Sequence, residues 1–434
     1  MTGAANEAVE PTPPVGTPLA RRIFKGFAVL AMLGVLGVAT LLAALWLERR
    51  TEVTFPPVTG PFAVGRAIYA WADDARLDPL APVRGTKREL LVWIWYPAVA
   101  GPSAAMMDFY VPLSQRAPTP PRGDPRFSLI QRLLIRLFRL LTRDAPDLRS
   151  HTTRNAAVSP QQPSYPVVIM RAGTSSTVLN YSALAEDLAS HGYVVVGFDA
   201  AYRTSRVVFP DGRVVEQTPE NNPELYVGRP ERAGRLNELF AAWVADIGFI
   251  LDRLERLNAS DKSGMFRGRL DLTRVGVFGH SFGGAQAAQF CHDDSRCKAG
   301  IDVDGAPFGS VIQTGIPRPF MFLLSDHGRA SDPESRRIQA NIQSIYDRVP
   351  PDKRMRIAIR GANHFLFSDD GALFKSQVLL RILRLFGIVG IDGRRQLAVT
   401  VYCVHSFFDA YLKGAGVSRL EISSPLYPEI QVLE

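Results

Sequence analysis

The stretch that most limits what this chain can fold into is residues 275–290. Val275-Gly276-Val277-Phe278 reads as a buried strand and runs straight into Gly279-His280-Ser281-Phe282-Gly283-Gly284, followed by the helix-prone Ala285-Gln286-Ala287-Ala288-Gln289-Phe290. A strand that becomes a helix within so few residues must hold Ser281 in strained backbone. The neighbouring glycines are required because side chains there would collide with the strand and the helix. The turn lifts the serine Oγ above the strand end, where a helix N-terminus favours developing negative charge. A bare G-x-S-x-G pattern is weak, but strand, turn, doubled glycine and helix in succession make a nucleophile elbow, with Ser281 as the candidate nucleophile.

Such an elbow needs a sheet around it. Short β-rich apolar runs at residues 90–95, 167–170, 194–198, 275–278, 300–303, 320–324 and 355–359 alternate with helix-period stretches. Leu236, Phe240, Trp243, Ile247, Ile250 and Leu254 recur at three- or four-residue steps and give one long helix an apolar face. The expected fold class is α/β: an α/β-hydrolase fold with a mainly parallel central sheet flanked by helices. A length of 434 residues allows about three domains at roughly 150 residues each, yet large α/β enzymes often place that length in one core with insertions. With 46% hydrophobic and 21% charged residues, a coiled coil, a collagen-like repeat and a wholly disordered chain are excluded. No internal repeat is present, which removes solenoids and propellers.

Residues 26–47 carry no charge and are long enough to cross a bilayer as a helix. A buried core helix is usually shorter and amphipathic. A cleaved signal peptide has a shorter apolar run and a small-residue cleavage site, which this chain lacks. The expectation is a retained transmembrane helix, after a Pro-rich unstructured tail (1–25) and before a linker (48–61). Arg21, Arg22 and Lys25 precede the span, whereas Glu48, Arg49 and Arg50 follow it. By a narrow margin the N-terminus is cytoplasmic and residues 62–434, the catalytic domain, extracytoplasmic (periplasmic or extracellular). Within that domain, residues 126–143 place Arg132, Arg136, Arg139 and Arg143 along one face of a basic amphipathic helix. It suits either a membrane surface or a position on the core with its arginines in solvent.

A serine nucleophile needs a base, and in this fold the base comes last in the chain, after an acid. Of seven histidines, His280 lies inside the elbow and cannot swing onto Ser281. His191 falls in a helix-to-strand turn, His405 in a C-terminal helix, and His151, His292 and His327 in loops or helix ends. Only His364 follows the last expected strand in a loop that reaches the sheet's C-terminal edge. Three aspartates compete to orient it: Asp302 and Asp304, closing the strand after the elbow helix, and Asp326, closing the next. Spacing alone does not separate them. Oxyanion stabilisation requires two backbone N–H groups, assigned to Phe282 and to Thr174 in the loop after residues 167–170.

Four segments make the chain resemble a known family: Arg88-Glu89-Leu90-Leu91-Val92-Trp93-Ile94-Trp95-Tyr96-Pro97-Ala98, Asp187-Leu188-Ala189-Ser190-His191-Gly192-Tyr193-Val194-Val195, Gly279-His280-Ser281-Phe282-Gly283-Gly284-Ala285 and Gly300-Ile301-Asp302-Val303-Asp304. Together they are similar to the plasma-type platelet-activating factor acetylhydrolases, a serine-esterase branch of the α/β-hydrolases. The similarity extends over about residues 65–414. That resemblance implies Ser281 as nucleophile, Asp304 as acid with Asp326 the alternative, His364 as base, and Phe282 and Thr174 as oxyanion donors. It also implies that the 126–143 helix is a shared structural insertion. The chain departs from the family where Arg171-Ala172-Gly173 replaces the usual Ser-His-Gly and where Thr174 replaces a larger apolar residue, which bears on acyl-pocket shape.

The residues point to acyl transfer through an acyl-enzyme, and the resemblance implies phospholipids bearing short or oxidised sn-2 chains as substrates, beside which the expected transmembrane helix would keep the enzyme. No metal or organic cofactor is needed. Two other readings use the same residues: a carboxylesterase for soluble or polymeric esters, and an inactive hydrolase fold serving as a membrane-tethered binding module. The net charge of +8 favours anionic surfaces. No zinc-finger spacing, RNP motif or long basic block is present, so nucleic acid is not an expected partner. Three cysteines allow at most one local bridge, Cys291 to Cys297.

Overall fold

The computed structural model describes residues 18–50, 54–100, 107–112, 148–174, 176–222, 225, 229–326, 332–373, 377–385, 390–415 and 424–433. The basic helix expected at 126–143 lies outside the described residues, as do most of the expected tail and His327. The chain divides into two compact units, Met1–Glu52 with Ser376–Val378, and the remainder from Val53 onward.

In the first unit, helix α1 (Pro18–Arg50) runs past both ends of the apolar stretch, so helix begins inside the segment expected as tail. Pro18 takes the first helical position, where a missing N–H costs nothing. Within it, Arg22–Glu48 is long and apolar enough to cross a membrane. Phe24, Phe27, Leu30, Val35 and Leu42 are exposed, an apolar surface that water does not tolerate as a helix face.

The second unit is built on β1 (Ala63–Leu77), β2 (Lys87–Ala98), β3 (Met107–Phe109), β4 (Arg149–Arg154), β5 (Tyr165–Arg171) and β6 (Val194–Ala200). A small hairpin, β7 (Arg206–Val208) with β8 (Val214–Glu216), stands apart. The sheet continues with β9 (Leu270–His280), β10 (Cys297–Val303), β11 (Phe320–Leu324), β12 (Arg354–Ile359) and β13 (Ile430–Val432). The sheet order is β13-β12-β11-β10-β9-β5-β6-β2-β1-β4-β3. From β12 to β6 every pairing is parallel, while β2, β1 and β13 pair antiparallel at the flanks.

Helices α2 (Ser182–Ser190), α3 (Arg232–Ser260), α4 (Phe282–Asp293), α5 (Pro333–Tyr346) and α6 (Gly393–Leu412) cover both faces. Alternation along the strands decides which residue meets which layer. Val167, Ile169, Val275 and Val277 pack toward Trp243 and Ile247 of α3 and Phe290 of α4, with Ile345 of α5 in the same cluster. Val168, Met170 and Phe278 pack toward Leu188 of α2 and Val404 and Phe408 of α6. Each such aliphatic side chain removed from water stabilises by about 1.5–3 kcal/mol.

The chain crosses from β6 back to β9, so the order reverses between β5 and β9. In open α/β sheets this is where a crevice forms at the strand C-termini. The stretch expected as a linker is fastened to this unit from residue 55. Phe55 is buried against Tyr110, and the N–H groups of Thr59, Gly60 and Phe62 donate to Asp187 Oδ1, Ser190 Oγ and Ser190 O. Cys291 and Cys297 are disulfide-bonded and join the end of α4 to the start of β10; Cys403 is buried and reduced.

Candidate active site

Ser281 sits between β9 and α4 with φ 56° and ψ −123°, a left-handed conformation that a side-chain-bearing residue adopts only under constraint. Its neighbours enforce it. A Cβ on Gly283 would stand 2.6 Å from the carbonyl oxygens of both Arg171 and Ala172, so the elbow helix can approach β5 only as glycine. Ser281 N–H donates to Val303 O, tying the turn to the end of β10.

The imidazole of His364 lies 3.2 Å from Ser281 Oγ through Nε2 and 2.7 Å from Asp304 Oδ2 through Nδ1. Asp304 follows β10 with φ 53°, and its backbone N–H donates to Leu323 O. Ser325, just past β11, donates its N–H to Asp304 Oδ1 (2.7 Å) and its hydroxyl to Oδ2 (2.8 Å). The buried carboxylate is therefore held by at least three donors, and its orientation is fixed before the imidazole meets it.

His364 opens a short 3-10 turn, His364–Phe367, after β12. Asn363 caps this turn by accepting from Phe365 N–H, and Gln396 of α6 holds Asn363 from both sides. Asn363 N–H donates to Gln396 Oε1 (2.9 Å) and Gln396 Nε2 donates to Asn363 O (2.8 Å). Asp326 is exposed and has another task. Its Oδ2 accepts from Gly361 N–H, three residues before the histidine, and no hydrogen bond or ion pair joins the described residues Asp326 and His364. Of the three aspartates that spacing leaves open, the structure brings Asp304 to the imidazole. Asp302, two residues earlier, is buried, and its Oδ1 accepts from Gly305 N–H. Burial pushes its carboxyl up to about 8.

Phe282 is the first residue of α4, where a backbone N–H has no acceptor within its own helix. The loop after β5 runs beside it: a Cβ on Gly173 would lie 3.3 Å from Ser281 Cβ. Phe282 and Gly173, the residue before Thr174, thus flank the serine from two elements. The unusual Arg171 does not face this space. Its Nε donates to Gln286 of α4, its Nη1 to Phe198 O of β6, and its guanidinium lies 3.7 Å over the Phe198 ring. Burial lowers its pKa to about 10.

Sequence reasoning missed two groups. Tyr181 precedes α2; its hydroxyl accepts from Gly173 N–H (3.3 Å) and shares a hydrogen bond with His280 Nδ1 (2.8 Å), linking the loop after β5 to the elbow. The His280 ring lies 4.6 Å from that of His364, and burial, with His364 adding to it, pushes His280 down to about 3, so it stays neutral beside the base. Ser325 is the other; a serine after a strand carries no signal until the fold places it. The remaining described histidines are elsewhere. His151 lies within β4 rather than in a loop or helix end, because its strand pairs with β1 through residues of weak apolar alternation. His292 closes α4, with Nδ1 near Gly315 O, and His191 and His405 stack on one another.

A mainly parallel sheet with helices on both faces, a strained serine at a strand-to-helix turn and a histidine on the loop after β12 define the α/β-hydrolase class. A family model described as platelet-activating factor acetylhydrolase, isoform II, matches residues 47–209 and 251–414. The chain belongs to the platelet-activating factor acetylhydrolase family. It is 26% identical over 279 residues to a probable 1-alkyl-2-acetylglycerophosphocholine esterase of Arthroderma benhamiae, covering 62% of this chain and 66% of that protein. It is 27% identical to the platelet-activating factor acetylhydrolase of Cavia porcellus over 47% of this chain and 48% of that one. The chain thus spans between about half and two thirds of the length of these curated relatives. A solved ferulic acid esterase from Streptomyces cinnamoneus superposes with a TM-score of 0.68 and 26% identity, over 88% of this chain and all of that one.

Proposed function

We propose that the chain is a membrane-anchored serine esterase acting on phospholipids with short or oxidised sn-2 acyl groups. The observation that carries this reading is the continuous relay from Ser281 Oγ to His364 Nε2 (3.2 Å) and from His364 Nδ1 to Asp304 Oδ2 (2.7 Å). With Nδ1–H donating to Asp304, the Nε2 lone pair faces the serine hydroxyl. As Oγ attacks the ester carbonyl, its proton passes to Nε2, and Asp304 stabilises the imidazolium. The oxyanion is received by the N–H groups of Phe282 and Thr174. The imidazolium then protonates the departing alcohol, and water repeats the sequence on the acyl-enzyme to release the acid. No step draws on a metal or organic cofactor.

The names of the relatives support the phospholipid substrate, and the apolar length of Arg22–Glu48 supports the anchor. The disulfide between Cys291 and Cys297 is suited to an oxidising compartment, in keeping with a cytoplasmic N-terminus and an extracytoplasmic catalytic unit. A second reading, an esterase for soluble or polymeric esters, is favoured by the ferulic acid esterase that superposes over its whole length. Turnover by the full chain in detergent separates them, using phosphatidylcholines that differ only in the sn-2 group alongside methyl ferulate. The first reading expects rapid release of acetyl and oxidised chains and slow release of palmitoyl. Cleavage of methyl ferulate with every phospholipid left intact would replace it with the second.

A further inference from the structure

Far from the triad, the amino end of the sheet holds a second cluster of chemically competent side chains. Asp187 and His191 stand four residues apart at the end of α2, on one face of the helix, and His405 projects from the facing helix α6. Helix α2 begins at Ser182, beside the catalytic loops, and His191 precedes the start of β6. The cluster therefore lies at the end of the strands opposite Ser281. One ligand atom from each residue lies within 4.8 Å of the others. The two imidazoles stack with centroids 4.4 Å apart and planes 12° apart. His405 Nδ1 is directed to Val401 O, which leaves Nε2 as its outward nitrogen.

The second observation concerns the carboxylate. Asp187 is 3% exposed, and its Oδ1 is saturated by the N–H and hydroxyl of Thr59 at 2.6 and 2.9 Å. Its Oδ2, buried and 3.5 Å from His191 Nε2, has no hydrogen-bond partner among the described residues. A carboxylate oxygen removed from water without a donor is costly unless a cation meets it. The nearby Lys413 does not serve, because its Nζ is turned to Asp409 and to the carbonyl of His191.

We propose that Asp187, His191 and His405 form a structural site for a first-row divalent cation, zinc(II) fitting best. Two imidazole nitrogens and one carboxylate oxygen are a borderline-soft donor set that zinc accepts in tetrahedral geometry, with water as the fourth ligand. Ligand atoms around zinc stand about 3.3 Å apart, so closing the site draws these atoms together from within 4.8 Å and turns the two rings out of their stack. The hydroxyl of Thr59, now 2.9 Å from His191 Nε2, keeps Asp187 Oδ1 and yields the nitrogen to the metal. His191 is partly exposed, which gives the ion an entry path. The ion would pin together α2, α6 and, through Thr59, the segment that precedes β1. Its role is separate from the acyl chemistry.

The test is metal binding by the full chain in detergent, produced without a polyhistidine tag and stripped with chelator. Isothermal titration with zinc(II) is expected to give one equivalent with a Kd of about 1 µM or tighter. Cobalt(II) should give the visible bands of a four-coordinate site. His405→Gln and Asp187→Asn should each weaken binding by about 100-fold and abolish the rise in Tm that zinc gives the parent. Turnover of p-nitrophenyl acetate by the parent should be the same with and without metal. The parent chain's cobalt spectrum and stoichiometry stand even if a variant does not fold. Absence of one-equivalent binding in the parent, or binding unchanged in folded variants, would overturn the proposal.

Discussion

Ser281 is useful only because its neighbours leave it no relaxed alternative, and the same economy holds around each residue of the site. Ser281→Ala is expected to leave the fold intact and remove turnover of p-nitrophenyl acetate. Asp304→Asn can keep its oxygen on Ser325 N–H but puts an NH2 group where Oδ2 meets Ser325 Oγ and His364 Nδ1, the wrong partner for the imidazole, and kcat should fall by about 10⁴-fold. Asp326→Asn, whose partner is Gly361 N–H, should change kcat by less than about 10-fold, because it acts only on the loop carrying the histidine. Steady-state kinetics of the two variants side by side check the assignment, and the opposite ranking refutes it.

Asp302 gives a second prediction at this scale. Its carboxyl is raised from 3.8 to about 8 by burial, so the folded chain binds this proton more tightly than the unfolded chain does. The associated stability is fully present below pH 3.8 and is lost as pH rises toward and through 8. Asp302→Asn can still accept from Gly305 N–H and carries no charge to bury. Its Tm relative to the parent is expected to climb between pH 5 and about pH 8 and then level off, and a flat difference throughout would show that the carboxyl ionises freely in the fold.

At the scale of elements, the histidine turn depends on α6. Gln396 holds Asn363 through both its backbone N–H and its carbonyl, so Gln396→Ala loosens His364 without touching substrate. The expected result is a fall in kcat of about 10-fold with KM little changed. A change confined to KM would place Gln396 in substrate binding instead.

Elements also show what the sequence discloses. Strands β5, β6, β10 and β11, with the second half of β9, are legible because they are buried almost throughout and read as apolar runs. The 15-residue β1 was missed: its burial alternates with charge, and Arg66 within it is buried against Asp108. An arginine paired across 42 positions looks like a surface residue in one dimension. The elbow is local, so Ser281 and Phe282 could be read from a dozen residues. The link from Asp304 to His364 spans 60 positions and depends on Ser325 and Gln396, which carry no local signature. The resemblance to a family, not spacing, favoured Asp304 over Asp326. Arg171, read as a departure in the oxyanion loop, is a buried brace between α4 and β6.

For the whole molecule, the boundary between the two units falls between Glu52 and Val53, while Phe55 is already part of the core. Removal of residues 1–52 is expected to give a chain that needs no detergent and hydrolyses p-nitrophenyl acetate at the parental rate. Its turnover of substrate embedded in vesicles should fall, because the anchor no longer concentrates it at the surface. Equal vesicle activity in both forms would mean that the helix does not bring the catalytic unit to lipid. A reporter fused after Glu434 should be active only outside the cytoplasm.

The account as a whole rests on Ser281 being made nucleophilic by His364. Labelling the full chain with a fluorophosphonate and locating the adduct by mass spectrometry tests this most directly. The adduct should form on Ser281, be absent in Ser281→Ala, and form at least about 100-fold more slowly in a folded His364→Ala variant. An intact chain that takes no label, or takes it elsewhere with Ser281 unmodified, would contradict the account.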